Sequence, residues 1–119
     1  MGFLFVALGG ALGAVGRYAI SLIPLKSDFP FLTLITNILG AVLIGFVTGL
    51  VCSKDNVSPN AALFWKTGVC GGFTTFSTFS KESLDLAHSG RWCAFSAYVF
   101  GSVAIGIAAV ALGYSVAKH

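Results

Sequence analysis

A chain of 119 residues has material for one domain, and with 56% apolar residues, 9% charged residues and a mean hydropathy of +0.91 it is not an ordinary water-soluble one. The bilayer is the first solvent to test. Seven Lys and Arg against four Asp and Glu give a net charge of +3, but the basic residues stand singly, so no nucleic-acid partner is expected.

The first predicted element runs over about residues 2–25, with Arg17 its only charge. It lacks the basic start of a signal peptide and three similar segments follow, so it reads as a mature helix. Gly9 and Gly13 form a GxxxG pair, a spacing that lets helix backbones approach closely where lipid supplies no hydrophobic drive. The run from Gly9 to Gly16 lacks the GxGxxG spacing and a preceding strand, so a dinucleotide site is not expected.

The second element, 29–53, contains no charge and a second GxxxG pair, Gly45 and Gly49. Each element can cross a hydrocarbon core that needs ~20 helical residues. Asn37 lies in the middle third of this stretch. A buried amide needs partners, and two roles fit equally: an interhelical clamp or a pore ligand.

The third element, 60–80, carries Lys66 near its start and extends at most to about residue 87. It contains the most informative segment, Gly68 to Phe79, where Gly71 and Gly72 precede Thr74, Thr75, Ser77, Thr78 and Ser80. Such a run is a poor helix, because glycine costs ~1 kcal/mol against alanine and Ser and Thr hydroxyls compete for backbone groups. A break near 71–75, at the bilayer midplane, is therefore predicted. Backbone freed at that depth is tolerated only where protein, water or an ion completes its bonding. Past the break, Phe76 and Phe79 share a helix face, and ring edges, being electropositive, can meet an anion.

The fourth element, 92–117, is uncharged. Tyr98 and Ser102 place hydroxyls one turn apart, with Gly106 a turn further on. Asn, Tyr, Ser and Thr donors can replace an anion's hydration shell without holding the ion too tightly.

The linkers are too short for an extramembrane domain, so function is confined to the bilayer. With four crossings, Lys54, Lys66 and Lys118 fall on one side and Lys26, Lys81 and Arg91 on the other. This balance gives almost no orientation bias under the positive-inside rule, which fits either a chance balance of few charges or dual topology, two copies pairing antiparallel. Asp28, Asp55, Glu82 and Asp85 all lie in linkers or at element ends, which argues against a proton-coupled exporter. No catalytic set converges, so an enzyme is not expected. Cys52, Cys70 and Cys93 are odd in number and widely spaced, and His88 and His119 sit near element ends, so neither a disulfide framework nor a zinc site is suggested.

Three motifs, Gly9 to Tyr18, Thr33 to Gly40 and Gly71 to Phe79, together resemble the Fluc (CrcB) fluoride channel family over essentially the whole chain. The resemblance implies an all-α membrane protein of four transmembrane helices with the third broken. It also implies a dual-topology antiparallel homodimer with two pores, exporting fluoride passively across the bacterial inner (plasma) membrane to relieve its toxicity. By position, Asn37, Phe76 and Phe79 resemble pore residues of the family, with Ser77 and Thr78 on the same polar stretch. Thr33, Tyr98 and Ser102 resemble its polar track. Arg17 matches a vestibule arginine and Glu82 a carboxylate near the pore mouth. Gly71 and Thr74 match residues whose backbone carbonyls hold a structural Na+ ion at the dimer centre. Where some members carry a further serine, this chain has Gly106.

Overall fold

A computed structural model describes residues 2–25, 29–53 and 58–118. Lys26, Asp28, Lys54, Asp55 and His119, used in the charge and histidine readings, lie outside the described residues.

Helix α1 spans Gly2–Ser21 and α2 spans Phe31–Ser53. Proline sets both inner ends. The residue before a proline avoids the helical region, so α1 stops short of Pro24 rather than reaching the expected Leu25, and α2 begins directly after Pro30. Helix α3, residues 59–73, starts with Pro59 at a first-turn position, where its missing N–H costs nothing. Ser58 caps it, its hydroxyl accepting from the Ala61 N–H at 3.0 Å. Its first turn, Pro59–Ala62, widens into a π-helical stretch, Leu63–Cys70, and narrows again over Gly71–Phe73. After two extended residues, α4 runs Phe76–His88, and beyond a turn through Gly90, whose φ is +78°, α5 runs Trp92–Lys118.

Three helical stretches, Gly2–Ser21, Phe31–Cys52 and Trp92–Ala117, are long and apolar enough to cross a membrane. The third expected crossing is not one helix: α3 and α4 are separate pieces with Thr74 and Thr75 between them.

Packing is organised by glycine. Along α1, a methyl group at Gly9 would overlap the Phe64 carbonyl and stand 2.9 Å from the Gly68 Cα, and one at Gly13 would overlap the Val69 carbonyl. From the other side, a methyl at Gly72 would overlap the Gly10 carbonyl. Gly68 and Gly72 thus form a GxxxG pair of their own, set against that of α1. The same device joins α2 to α5, where added carbons at Gly45 and Gly113 would overlap the carbonyls of Val110 and Val42. Where lipid is as apolar as the helices, this close contact is what holds them together.

The surface is the reverse of a soluble protein's. Phe3, Leu8, Leu12, Val15, Phe100, Ile107 and Leu112 are all more than half exposed. The chain leaves 7373 Å² accessible, against about 6,100 Å² for a compact soluble monomer of this mass. These faces require lipid or another protein surface. The fold is that of an all-helical membrane protein.

Candidate functional site

The interruption after α3 is built by hydrogen bonds. Thr74 ends the helix, its N–H and its hydroxyl both donating to the Cys70 carbonyl at 3.0 and 2.9 Å. The backbone then turns extended, with φ, ψ of −83°, 157° at Thr74 and −147°, 115° at Thr75. Thr75 is met by Asn37 of α2. The Thr75 N–H donates to Asn37 Oδ1 at 2.9 Å, and Asn37 Nδ2 donates to the Thr75 carbonyl at 3.2 Å. Because one end of the amide must accept and the other must donate, this pairing also fixes which way the side chain faces. One side chain thereby satisfies both main-chain groups of a residue that has left the helix.

The next helix begins at once. The Thr75 hydroxyl accepts from the Thr78 N–H at 3.2 Å, as an N-cap does, and donates to Thr78 Oγ1 at 3.2 Å. The consequence for acceptors is specific. In a continuous helix the Gly71 carbonyl would accept from the residue 75 N–H and the Thr74 carbonyl from the residue 78 N–H. Asn37 takes the first donor and the Thr75 hydroxyl the second, which releases both carbonyls from helical bonding.

Three cavities meet at this interruption. One, of about 270 Å³, is lined by Asn37, Thr74, Thr75, Phe76, Phe79, Ser102 and Val103. The Ser102 hydroxyl is buried here without a hydrogen-bond partner, an arrangement that costs free energy until something accepts its proton. Phe76 is 79% exposed, and its ring lies 5.8 Å from that of Phe79, which in turn lies 5.0 Å from the ring of fully buried Tyr98. The second cavity, about 80 Å³, is lined by Arg17, Ser21, Leu32, Thr33, Thr36, Thr75 and Thr78. Arg17 Nε donates to the Gly72 carbonyl at 3.4 Å, placing a cation at the electronegative C-terminal end of α3. The third, about 420 Å³, is bordered by Asn37, Gly40, Lys66, Thr67, Gly71 and Thr74 among others.

The sequence profile of the family described as CrcB-like protein, Camphor Resistance (CrcB), matches residues 4–114. A protein of Chlorobium luteolum named Fluoride-specific ion channel FluC is 46% identical, over 97% of this chain and 91% of its own length. Proteins of the same name from a Roseiflexus species and from Pyrococcus horikoshii are 42% and 43% identical, over 99% and 94% of this chain and 98% and 92% of theirs. The chain belongs to the CrcB family.

In this CrcB chain, the residues singled out from sequence divide between the cavities. Asn37, Phe76, Phe79 and Ser102 share the first, and Arg17, Thr33 and Thr78 share the second. Gly71 and Thr74 border the third. Ser77 is exposed on the first turn of α4. Tyr98 borders none of the three: its hydroxyl donates to Glu82 Oε1 at 3.0 Å, so its single proton is held by a carboxylate and ties α5 to α4. At Gly106 an added carbon meets nothing within 4 Å, so this position is open space.

Three participants went unread in the sequence. Thr36 is buried beside the Arg17 cavity, its hydroxyl donating to the Leu32 carbonyl at 2.7 Å. Its spacing from Thr33, one turn along α2, was the available signal. Thr75 acts through its backbone and as a cap, and Lys66 borders the 420 Å³ cavity.

Proposed function

We propose that this CrcB-family chain is a fluoride-selective passive channel that lets cytoplasmic fluoride leave the cell and so relieves its toxicity. The carrying observation is the unpartnered Ser102 hydroxyl in the cavity that Asn37, Phe76 and Phe79 border. An ion as strongly hydrated as fluoride crosses only where fixed donors replace its water shell and none binds so firmly that the ion cannot leave. Ser102 offers a free hydroxyl, the electropositive edges of Phe76 and Phe79 narrow the path, and Thr33, Ser77 and Thr78 extend the supply of hydroxyls towards Arg17. The names of the relatives direct the choice among anions to fluoride. The activity is permeation and not catalysis.

The working unit in this reading is an antiparallel homodimer carrying two pores, inserted in both orientations as a multi-pass protein of the plasma membrane. Balanced basic residues and the large exposed apolar surface support it. The break lies near the bilayer midplane, where Gly71 is exposed at the 420 Å³ cavity with nothing within 4 Å of an added carbon. A Na+ ion at the dimer centre fits the donors present: the Gly71 and Thr74 carbonyls are neutral, hard oxygen ligands freed from helical bonds, of the kind such cations take. The ion would supply a positive charge that keeps two broken helices together.

Purified protein in fluoride-loaded liposomes tests the reading with an external fluoride electrode. Fast fluoride efflux with little chloride movement, and no dependence on a proton gradient, is expected. Well-folded protein that releases no fluoride would sink it, and proton-gradient dependence would replace a channel with a coupled exporter.

A further inference from the structure

We propose that Phe29, in the segment that leads into α2, is a positioning residue of the fluoride path: through Tyr98 it sets the ring of Phe79 at the Ser102 cavity. The inference deepens the channel reading above and rests on it.

Five aromatic side chains from separate parts of the chain form a line of direct ring contacts. Phe31, the first residue of α2, lies 4.7 Å from Phe29 between ring centroids. Phe29 meets Tyr98 of α5 at 5.4 Å with the ring planes at 82°. Tyr98 meets Phe79 of α4 at 5.0 Å, and Phe79 meets Phe76 at 5.8 Å. Of the five, Phe76 and Phe79 border the cavity that holds the unpartnered Ser102 hydroxyl.

Phe29 lies outside the helices but is held by its backbone. The residue before a proline is confined to extended conformations, and the Phe31 N–H donates to the Phe29 carbonyl at 2.8 Å, closing a three-residue turn over Pro30. Tyr98 is the relay. It is fully buried, and its hydroxyl is anchored on Glu82 Oε1 at 3.0 Å, which fixes the tip of the side chain but leaves the ring free to turn about its long axis. A near-perpendicular partner removes that freedom, because the electropositive edge of one ring favours the electronegative face of the other. An aliphatic side chain of similar bulk fills the space without selecting an angle. In a close-packed interior the angle of Tyr98 is passed on to Phe79. Phe79 serves an anion only through its edge, and a tilted ring would turn its electronegative face to the ion instead.

The test uses full-length protein, with initial fluoride efflux from liposomes read by an external electrode and thermal unfolding read in detergent. Phe29→Leu should unfold within a few degrees of wild type, while fluoride efflux falls roughly two- to tenfold, the range that one directional ring contact supports. Phe29→Tyr, which keeps the ring, should conduct at the wild-type rate. In a Phe79→Leu parent, which conducts more slowly and has no ring to orient, adding Phe29→Leu should cause no further loss, the non-additivity of residues that act as one unit. If Phe29→Leu does not fold, Phe29→Met takes its place. Wild-type efflux from Phe29→Leu, or an equal loss from Phe29→Tyr, overturns the assignment. So does the same fold loss in the Phe79→Leu parent, which would make Phe29 simple packing of the linker against the bundle. If wild-type protein passes no fluoride, the channel reading falls and this inference with it; if wild type conducts and Phe29→Leu matches it, the Phe29 assignment falls alone.

Discussion

Of the two roles its position allowed, Asn37 takes the interhelical clamp in the structure, and the pore role is the proposal. Its amide clamps the Thr75 backbone, and the same side chain borders the cavity of Ser102 and the phenylalanines. Replacing it with alanine leaves a part-buried N–H and a part-buried carbonyl unpaired, each costing up to about 1–3 kcal/mol. Asn37→Ala should therefore lower thermal stability in detergent as well as abolish efflux. Phe76 separates these two properties. With 79% of it exposed within the subunit, Phe76→Ile should leave subunit stability within about 0.5 kcal/mol of wild type. Fluoride efflux should nonetheless fall roughly tenfold or more, about 1.4 kcal/mol of added barrier. Unchanged flux would make the ring simple packing. The types of the site residues were legible from the sequence because amides and hydroxyls are conspicuous among apolar neighbours. Their partners were not: the hydroxyl of Tyr98 reads as a free donor until Glu82, sixteen residues away on another helix, is brought to 3.0 Å.

At the level of the helices, the glycine pattern and the break have different causes from those a local reading suggests. Gly71 and Gly72 are helical in the structure, although they were the reason to expect a break around them. Gly72 is glycine because α1 lies against it. The chain leaves the helix two residues later, at the threonines, because Asn37 from α2 captures the Thr75 N–H across 38 residues of sequence. No window of local propensity contains that partner. The two GxxxG pairs recognised from sequence do mark close packing, while the Gly68 and Gly72 pair was hidden inside the motif read for its break. This separates the glycines experimentally. Gly13→Ala, which would drive a methyl into the Val69 carbonyl, should sharply reduce the yield of folded protein, whereas Gly106→Ala, which meets open space, should express and elute as wild type. Equal yields would mean that α1 and α3 do not cross this closely.

For the whole molecule, an all-helical membrane protein was legible from hydropathy, and three stretches among the described residues are long and apolar enough to cross, whereas the expected third crossing falls on two helical pieces whose register depends on a neighbour. Pairing is a question of surface. Because Gly71 has nothing within 4 Å of an added carbon in its own subunit, Gly71→Ala should leave each subunit folded and reduce the dimer fraction on size-exclusion chromatography or cross-linking. An unchanged dimer would place the second copy elsewhere. Removing Na+ during purification should lower dimer stability if the freed carbonyls of Gly71 and Thr74 hold the ion, and indifference to Na+ would remove that assignment.

The clamp on Thr75 also constrains how the protein is made. A residue with extended backbone in hydrocarbon has no local means of pairing its N–H and carbonyl, and Asn37 is synthesised and inserted first, a full helix ahead. Helix α2 thus serves as a template on which the chain can leave the helix between α3 and α4 with its backbone groups paired. An early defect in membrane-inserted yield is expected for Asn37→Ala in pulse-labelled cells, before any ion has crossed.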